Sequence, residues 1–191
     1  MAVVTTEDKP VGRHLVMTPN PVKVLALKIG LPVYDKIKDF LMTTNDYSMT
    51  IGLVAAYGKI IPQNVLDNFG GQMYNIHPSI LPKYRGPSPL QQQILDDVVD
   101  TGVTIIRMDD KMDHGSIIGV VHDTILPSDT TISLGNRLFA LGADAILNSQ
   151  FSIFNQIPIP QNHNEATYTH KLTKQDGFVN YLEIENCKLK I

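Results

Sequence analysis

A chain of 191 residues with 43% apolar and 18% charged side chains has the composition of a soluble globular protein, not of a disordered one. Its formal net charge of -3 excludes a global pull on polyanions, so a nucleic-acid partner needs a local basic patch. A lone cysteine, Cys187, excludes a disulfide framework within the chain; no apolar run approaches membrane-spanning length, and the opening MAVVTTEDKP reads as neither signal nor transit peptide.

In chain order, AVVTT (2–6) reads as a short strand. Residues 7–21 read as a loop, broken by Gly12 and prolines. A helix is predicted from Pro21 to Gly30, with proline at its start and glycine at its end. PVYD (32–35) reads as a strand, KIKDFLMTTN (36–45) as a helix, and the apolar run 49–58 as a strand closing on a glycine loop. A short helix over 62–69 leads to a strand over 71–77. The next helix opens with Ser88 and Pro89, and strands over 101–110 and 116–125 flank a turn at 111–115. A long helix is predicted over 128–154, capped by Asp129 or Ser128. From 158 the chain turns rich in Pro and Asn, so 1–157 is expected as one domain and 158–191 as a linker or tail.

Alternation of strands and helices argues an α/β fold, a Rossmann-like and mostly parallel sheet with helices on both faces. The strands near Thr104 and Val120 are expected to add an antiparallel extension. In such sheets ligands bind beyond the carboxyl ends of the strands. The groups there are Ala56–Gly58, Asn75–His77 and Asp109–Asp113.

Asn75 and His77 are two residues apart, so a strand points both to one side. An Asn amide can donate to a developing oxyanion, a His can move a proton near neutral pH, and a carboxylate can orient the His. None is a strong nucleophile, which favours direct attack by a substrate amine on a bound carbonyl donor without a covalent enzyme intermediate. The residues alone also admit a plainer reading, in which the His is structural and the Asn caps a turn. Metal binding has less support: His163 and His170 are seven apart without a cysteine partner, and His114 and His122 fall on separate elements. The glycines of GQMYN precede a strand, so no phosphate loop is present.

NIHPSILPKYRGPSP, followed by TGVTIIRMDDKMDHGSII, resembles the formyltransferases that use 10-formyltetrahydrofolate. RGPSP, the segment DKPVGRHLVMTPNPVKVLALKIGLPVY and ATYTHKLTKQDGFVNY resemble the methionyl-tRNA formyltransferase branch. The resemblance implies a catalytic trio of Asn75, His77 and Asp113: Asn donating to the formyl oxygen, His and Asp handling protons. It implies folate contacts from Ser79, Ile80, Leu81 and Pro82, with Ala56, Tyr57 and Gly58 lining the pterin pocket, and a tRNA contact from Arg13. It implies 10-formyltetrahydrofolate as donor, no metal, initiator methionyl-tRNA as partner, no membrane, a monomeric full-length protein, and bacterial cytoplasm or mitochondrial matrix as compartment. Against that resemblance, the family's opening strand–turn–helix and its C-terminal barrel are expected to be missing from these residues. Apolar Leu15 and Val16 stand where the branch often has lysines. From these departures weak, salt-sensitive tRNA binding and a sheet with a gap are expected.

Overall fold

A computed structural model describes residues 1–43, 47, 50–149, 152–173 and 175–176. Cys187, residues 177–191 and parts of the predicted elements at 44–46, 48–49 and 150–151 lie outside the described residues. The chain divides into two compact units, Met1–Ile76 with Arg107–Asp110, and His77–Ile106 with Lys111–Ile191. Among the described residues no helix is long and apolar enough to cross a membrane.

The first unit opens with β1 (Val3–Val4). The expected loop over 7–21 instead contains a hairpin, β2 (Lys9–Val11) against β3 (Val16–Thr18), with Lys9 opposite Thr18. Its tip turns through Gly12 and Leu15 at φ +73° and +49°. A two-stranded ribbon tolerates Pro10 because one edge of each strand needs no partner. Helix α1 (Pro21–Lys28) is capped by Asn20, whose side chain accepts the Lys23 N–H at 3.0 Å and donates to Thr6 O at 2.8 Å. Lys23 pairs with Asp8 and Asp35, which fastens α1 to its flanking loops. Past Gly30, β4 (Val33–Tyr34) pairs in parallel with β1, Val3 opposite Val33.

After α2 (Ile37–Leu41) come β5 (Gly52–Ala55), α3 (Gln63–Asn68) and β6 (Met73–His77). β5 and β6 pair in parallel with Val54 opposite Asn75. Their core is Tyr47, Ile61, Val65, Leu66, Phe69 and Met73, in which the rings of Tyr47 and Phe69 stack at 5.2 Å. The pair β1–β4 and strand β5 belong to separate sheets.

The second unit carries α4 (Pro89–Leu95), β7 (Asp100–Arg107), β8 (Ser116–Thr124) and α5 (Thr131–Asn148). The larger sheet has the order β5-β6-β7-β8. Met108, just past β7, donates its N–H to Met73 at the start of β6 (2.8 Å), a bond within the first unit. Ile125, just past β8, donates to Val99 just before β7 (2.8 Å), so β8 runs against β7. This is the expected antiparallel extension. Val103, Ile105, Leu134 and Leu138 are fully buried among its core residues. Gln93 of α4 joins them as a polar staple, accepting from Thr101 at 2.6 Å and donating to Pro78 O at 2.9 Å.

The cap of α5 corrects the expectation of Asp129 or Ser128. Thr130 is the cap, in a reciprocal box with Ser133. Asp129 is occupied elsewhere: it accepts the Leu126 N–H and both terminal nitrogens of Arg137. The helix also ends earlier than expected, at Asn148, where Ser149 Oγ bonds back to Ile146 O at 2.8 Å. A 3₁₀ turn follows at Ser152–Asn155. Beyond it, in the segment expected as linker, Ile159 bridges Ile117 and Tyr168 bridges Arg85.

Candidate active site

β6 ends on Asn75 and His77, and the next ten residues build a loop fastened by Thr104, Asp113, Gln161 and Thr167. Asn75 lies in the first unit, half-buried, and His77 in the second, buried. His77 Nε2 lies 2.9 Å from Tyr84 O. A carbonyl only accepts, so Nε2 carries the hydrogen of that bond. Nδ1 faces Asp113 Oδ1 at 3.4 Å. An imidazole nitrogen and a carboxyl oxygen set this way can pass a proton between them. The other carboxyl oxygen, Oδ2, accepts the Gly86 N–H at 2.8 Å. Asp113 itself stands in the left-handed region at φ +50°.

Ser79, Ile80, Leu81 and Pro82 follow directly. Ser79 is fully buried and donates to Lys83 O at 2.7 Å. Thr104 of β7 clamps the loop twice, donating to Ser79 O at 2.7 Å and accepting the Leu81 N–H at 3.1 Å. Leu81 is buried, and Ile80 lines an open cavity of about 390 Å³ with Asp100, His122, Asp123 and Thr124. The side chains of Ser79 and Leu81 thus serve the loop's shape, and Thr104 and His77 O take up the Ser79 carbonyl, the Leu81 N–H and the Ser79 N–H.

In the first unit, Ala56, Tyr57 and Gly58 follow β5, with Ala56 and Gly58 left-handed at φ +47° and +68°. Ala56 and Gly58 are exposed, whereas Tyr57 packs against the aromatic core and burial pushes its phenol above the ordinary value. Arg13 is exposed at the tip of the β2–β3 hairpin. Among the described residues no group of three or more His, Cys, Asp or Glu could hold a metal ion.

Sequence reasoning missed Arg85, Gln161 and Tyr168. Arg85 is fully buried, with Nε and Nη2 donating to Gln161 Oε1 (3.2 and 2.6 Å), Nη2 also to His163 Nδ1 (2.9 Å), and Nη1 to the Tyr168 hydroxyl (3.0 Å). The backbone is tied too: Arg85 N–H donates to Thr167 O at 2.9 Å and Thr169 N–H donates to Arg85 O at 2.7 Å. The one local signal was a cation inside a proline-rich stretch. Its partners lie 76–83 residues away, beyond any periodicity.

Within the second unit, the His77–Asp113 arrangement can hold a proton at a defined imidazole nitrogen and back it with a fixed carboxylate. Comparison with known proteins gives the chain a family and a fold. The family model described as formyl transferase matches residues 1–149. A methionyl-tRNA formyltransferase of Buchnera aphidicola subsp. Schizaphis graminum is 36% identical over 190 residues, covering 95% of this chain and 60% of the relative. One from Roseiflexus castenholzii is 39% identical over 187 residues, again covering 95% and 60%. The chain therefore spans about 60% of the length of these curated relatives. A crystal structure of a sugar 3N-formyl transferase, WlaRD, solved with dTDP and 5-N-formyl-THF, superposes with a TM-score of 0.69 at 23% identity, covering 90% of this chain and 63% of that one. That likeness concerns the fold, which is Rossmann-like.

Proposed function

The chain belongs to the formyl transferase family, and on that premise we propose that it moves a formyl group from 10-formyltetrahydrofolate to the amino group of initiator methionyl-tRNA. The observation that carries the reading is the His77–Asp113 pair, anchored through Tyr84 O and Gly86 N–H at the end of β6. The relatives at 36% and 39% identity bear the name of that activity, which supports the choice of acceptor.

The residues fit a formyl donor chemically. They supply a neutral amide donor, a proton on an imidazole and a fixed carboxylate. Bound 10-formyltetrahydrofolate supplies an activated formyl carbon. Asn75 is proposed to donate to the formyl oxygen as negative charge grows there. As the amine nitrogen bonds to the formyl carbon and the formyl–folate C–N bond breaks, His77 Nδ1, backed by Asp113, is proposed to take the proton the amine loses and return one to the departing folate nitrogen. The 79–82 loop is proposed to contact the folate, Ala56–Gly58 to line a pterin pocket, and Arg13 to meet the tRNA. Translation initiation in bacterial cytoplasm or an organelle is the matching setting.

The test is transfer of isotopic formyl label to methionyl-tRNA, with an amino sugar nucleotide and glycinamide ribonucleotide as competing acceptors. Label on methionyl-tRNA is the expected result. Label on a small amine alone would replace the acceptor, and folate binding without transfer would replace the enzyme by a binding module.

A further inference from the structure

We propose that Gln161 is a positioning residue for the transfer, holding Asp113 in its active conformation through a fixed amide whose orientation is locked by buried Arg85; this rests on the functional reading above. All of the groups concerned lie in the second unit. Gln161 is buried at 6% exposure. Its Nε2 donates to Asp113 O at 2.9 Å and to Gly115 O at 2.7 Å, and its Oε1 receives Arg85 Nη2 and Nε at 2.6 and 3.2 Å. Both protons and both lone pairs of the amide are therefore used.

The orientation admits one solution. Guanidinium nitrogens only donate, so Oε1 must face Arg85. A turned amide would set NH₂ against the guanidinium and an oxygen against two carbonyls. Arg85 cannot withdraw, since it is fully buried and also fastened to Tyr168 and His163. Its fixed charge serves as an anchor for the Gln161 dipole.

The consequence falls on Asp113. A non-glycine residue at φ +50° persists where its surroundings over-determine it. Three contacts do so here: Gln161 on its carbonyl, Gly86 N–H on its carboxylate, and the next residue, His114, whose ring stacks on His163 at 3.9 Å and 7°. Of these, the Gln161 bonds alone span the turn, from Asp113 to Gly115. Without them the turn can relax and the carboxylate leaves its place beside His77.

Gln161→Glu separates the two halves of the amide's work. A carboxylate still accepts from Arg85, with added charge attraction, but has no proton for the carbonyls of Asp113 and Gly115. The expected result is a kcat lowered by roughly 10- to 100-fold with both KM values nearly unchanged, as for a residue serving the transition state only. In parallel, the His77 imidazole nitrogen shifts, read by ¹⁵N NMR at fixed pH, are expected to move toward those of Asp113→Asn. Gln161→Met, neutral and of similar length, serves if the Glu variant fails to fold, with the same shift expected. His77 resonances at their wild-type positions in a folded Gln161 variant would overturn the proposal. If the wild-type chain transfers no formyl group, the function reading fails, and the NMR comparison still decides whether Gln161 positions Asp113.

Discussion

His77 is gripped at both ring nitrogens, and that is what separates it from a histidine that merely packs. Tyr84 O fixes Nε2 and Asp113 fixes Nδ1, so neither tautomer nor ring direction is free. Asn75 and His77 were legible in the sequence because a strand's period of two needs only adjacent letters. Arg85 and Gln161 were not, because their meaning comes from contacts across 76 residues. Two variants test this scale. Asn75→Ala is expected to lower kcat by roughly 10²–10³ if its amide meets a growing oxyanion; single-turnover rates at saturating donor measure it, and turnover near wild type would remove the role. Gly86→Ala builds a Cβ 2.6 Å from Thr169 O, at φ +111°. It is expected to cost at least about 1–3 kcal/mol in a urea melt from backbone strain alone, and an unchanged midpoint would contradict the geometry.

At the level of elements, α5 shows how a correct helix can carry a wrong cap. In SDTTIS, Ser128, Asp129 and Thr130 are all good cap residues by type. Arg137, two turns further on, decides among them by claiming Asp129 with a two-pronged bond at 2.9 and 2.7 Å. The guanidinium, then the Leu126 N–H and the Ser133 hydroxyl, hold the Asp129 carboxyl well below the usual carboxylate range. A depressed carboxylate stabilises the fold above its unfolded value and loses that contribution as pH falls toward the folded one. Asp129→Asn is therefore expected to cost about 1.5–3 kcal/mol at neutral pH, the worth of a charge-assisted bond. The gap should narrow below about pH 4, where the unfolded carboxyl takes up its proton. Urea melts of both proteins across that range test it, and a gap independent of pH would refute it. The β2–β3 hairpin was hidden for another reason, since its prolines and glycine read as a loop. Arg13 at its tip is exposed beside exposed Leu15 and Val16. Arg13→Ala is expected to lower the log–log salt slope of tRNA binding by close to one unit, the loss of about one phosphate contact; fluorescence anisotropy over a salt series reads this, and an unchanged slope would remove Arg13 from the interface.

Across the molecule, the α/β alternation was legible because most helices and strands announce their own period, and the run of β8 against β7 was legible from the short turn between them. What the letters could not give was the division of the strands between sheets. Strands β1 and β4 stand in a sheet separate from β5. Helix α1 leaves Val22, Val24, Leu25 and Leu27 at 50–60% exposure. Such a helix face and free strand edges invite association. The isolated chain is expected to bind a hydrophobic dye and to self-associate with rising concentration; a monomer at all concentrations in sedimentation, with no dye binding, would show that these surfaces are covered.

The functional account stands on proton transfer by His77 beside Asp113. The direct measurement is transfer of isotopic formyl from 10-formyltetrahydrofolate to methionyl-tRNA by the wild-type chain and by His77→Ala. Labelled formylmethionyl-tRNA from the wild type is expected, with the variant slower by roughly 10²–10⁴, the usual worth of a general acid–base group. Equal rates from the two proteins, or label that never leaves the folate, would contradict it.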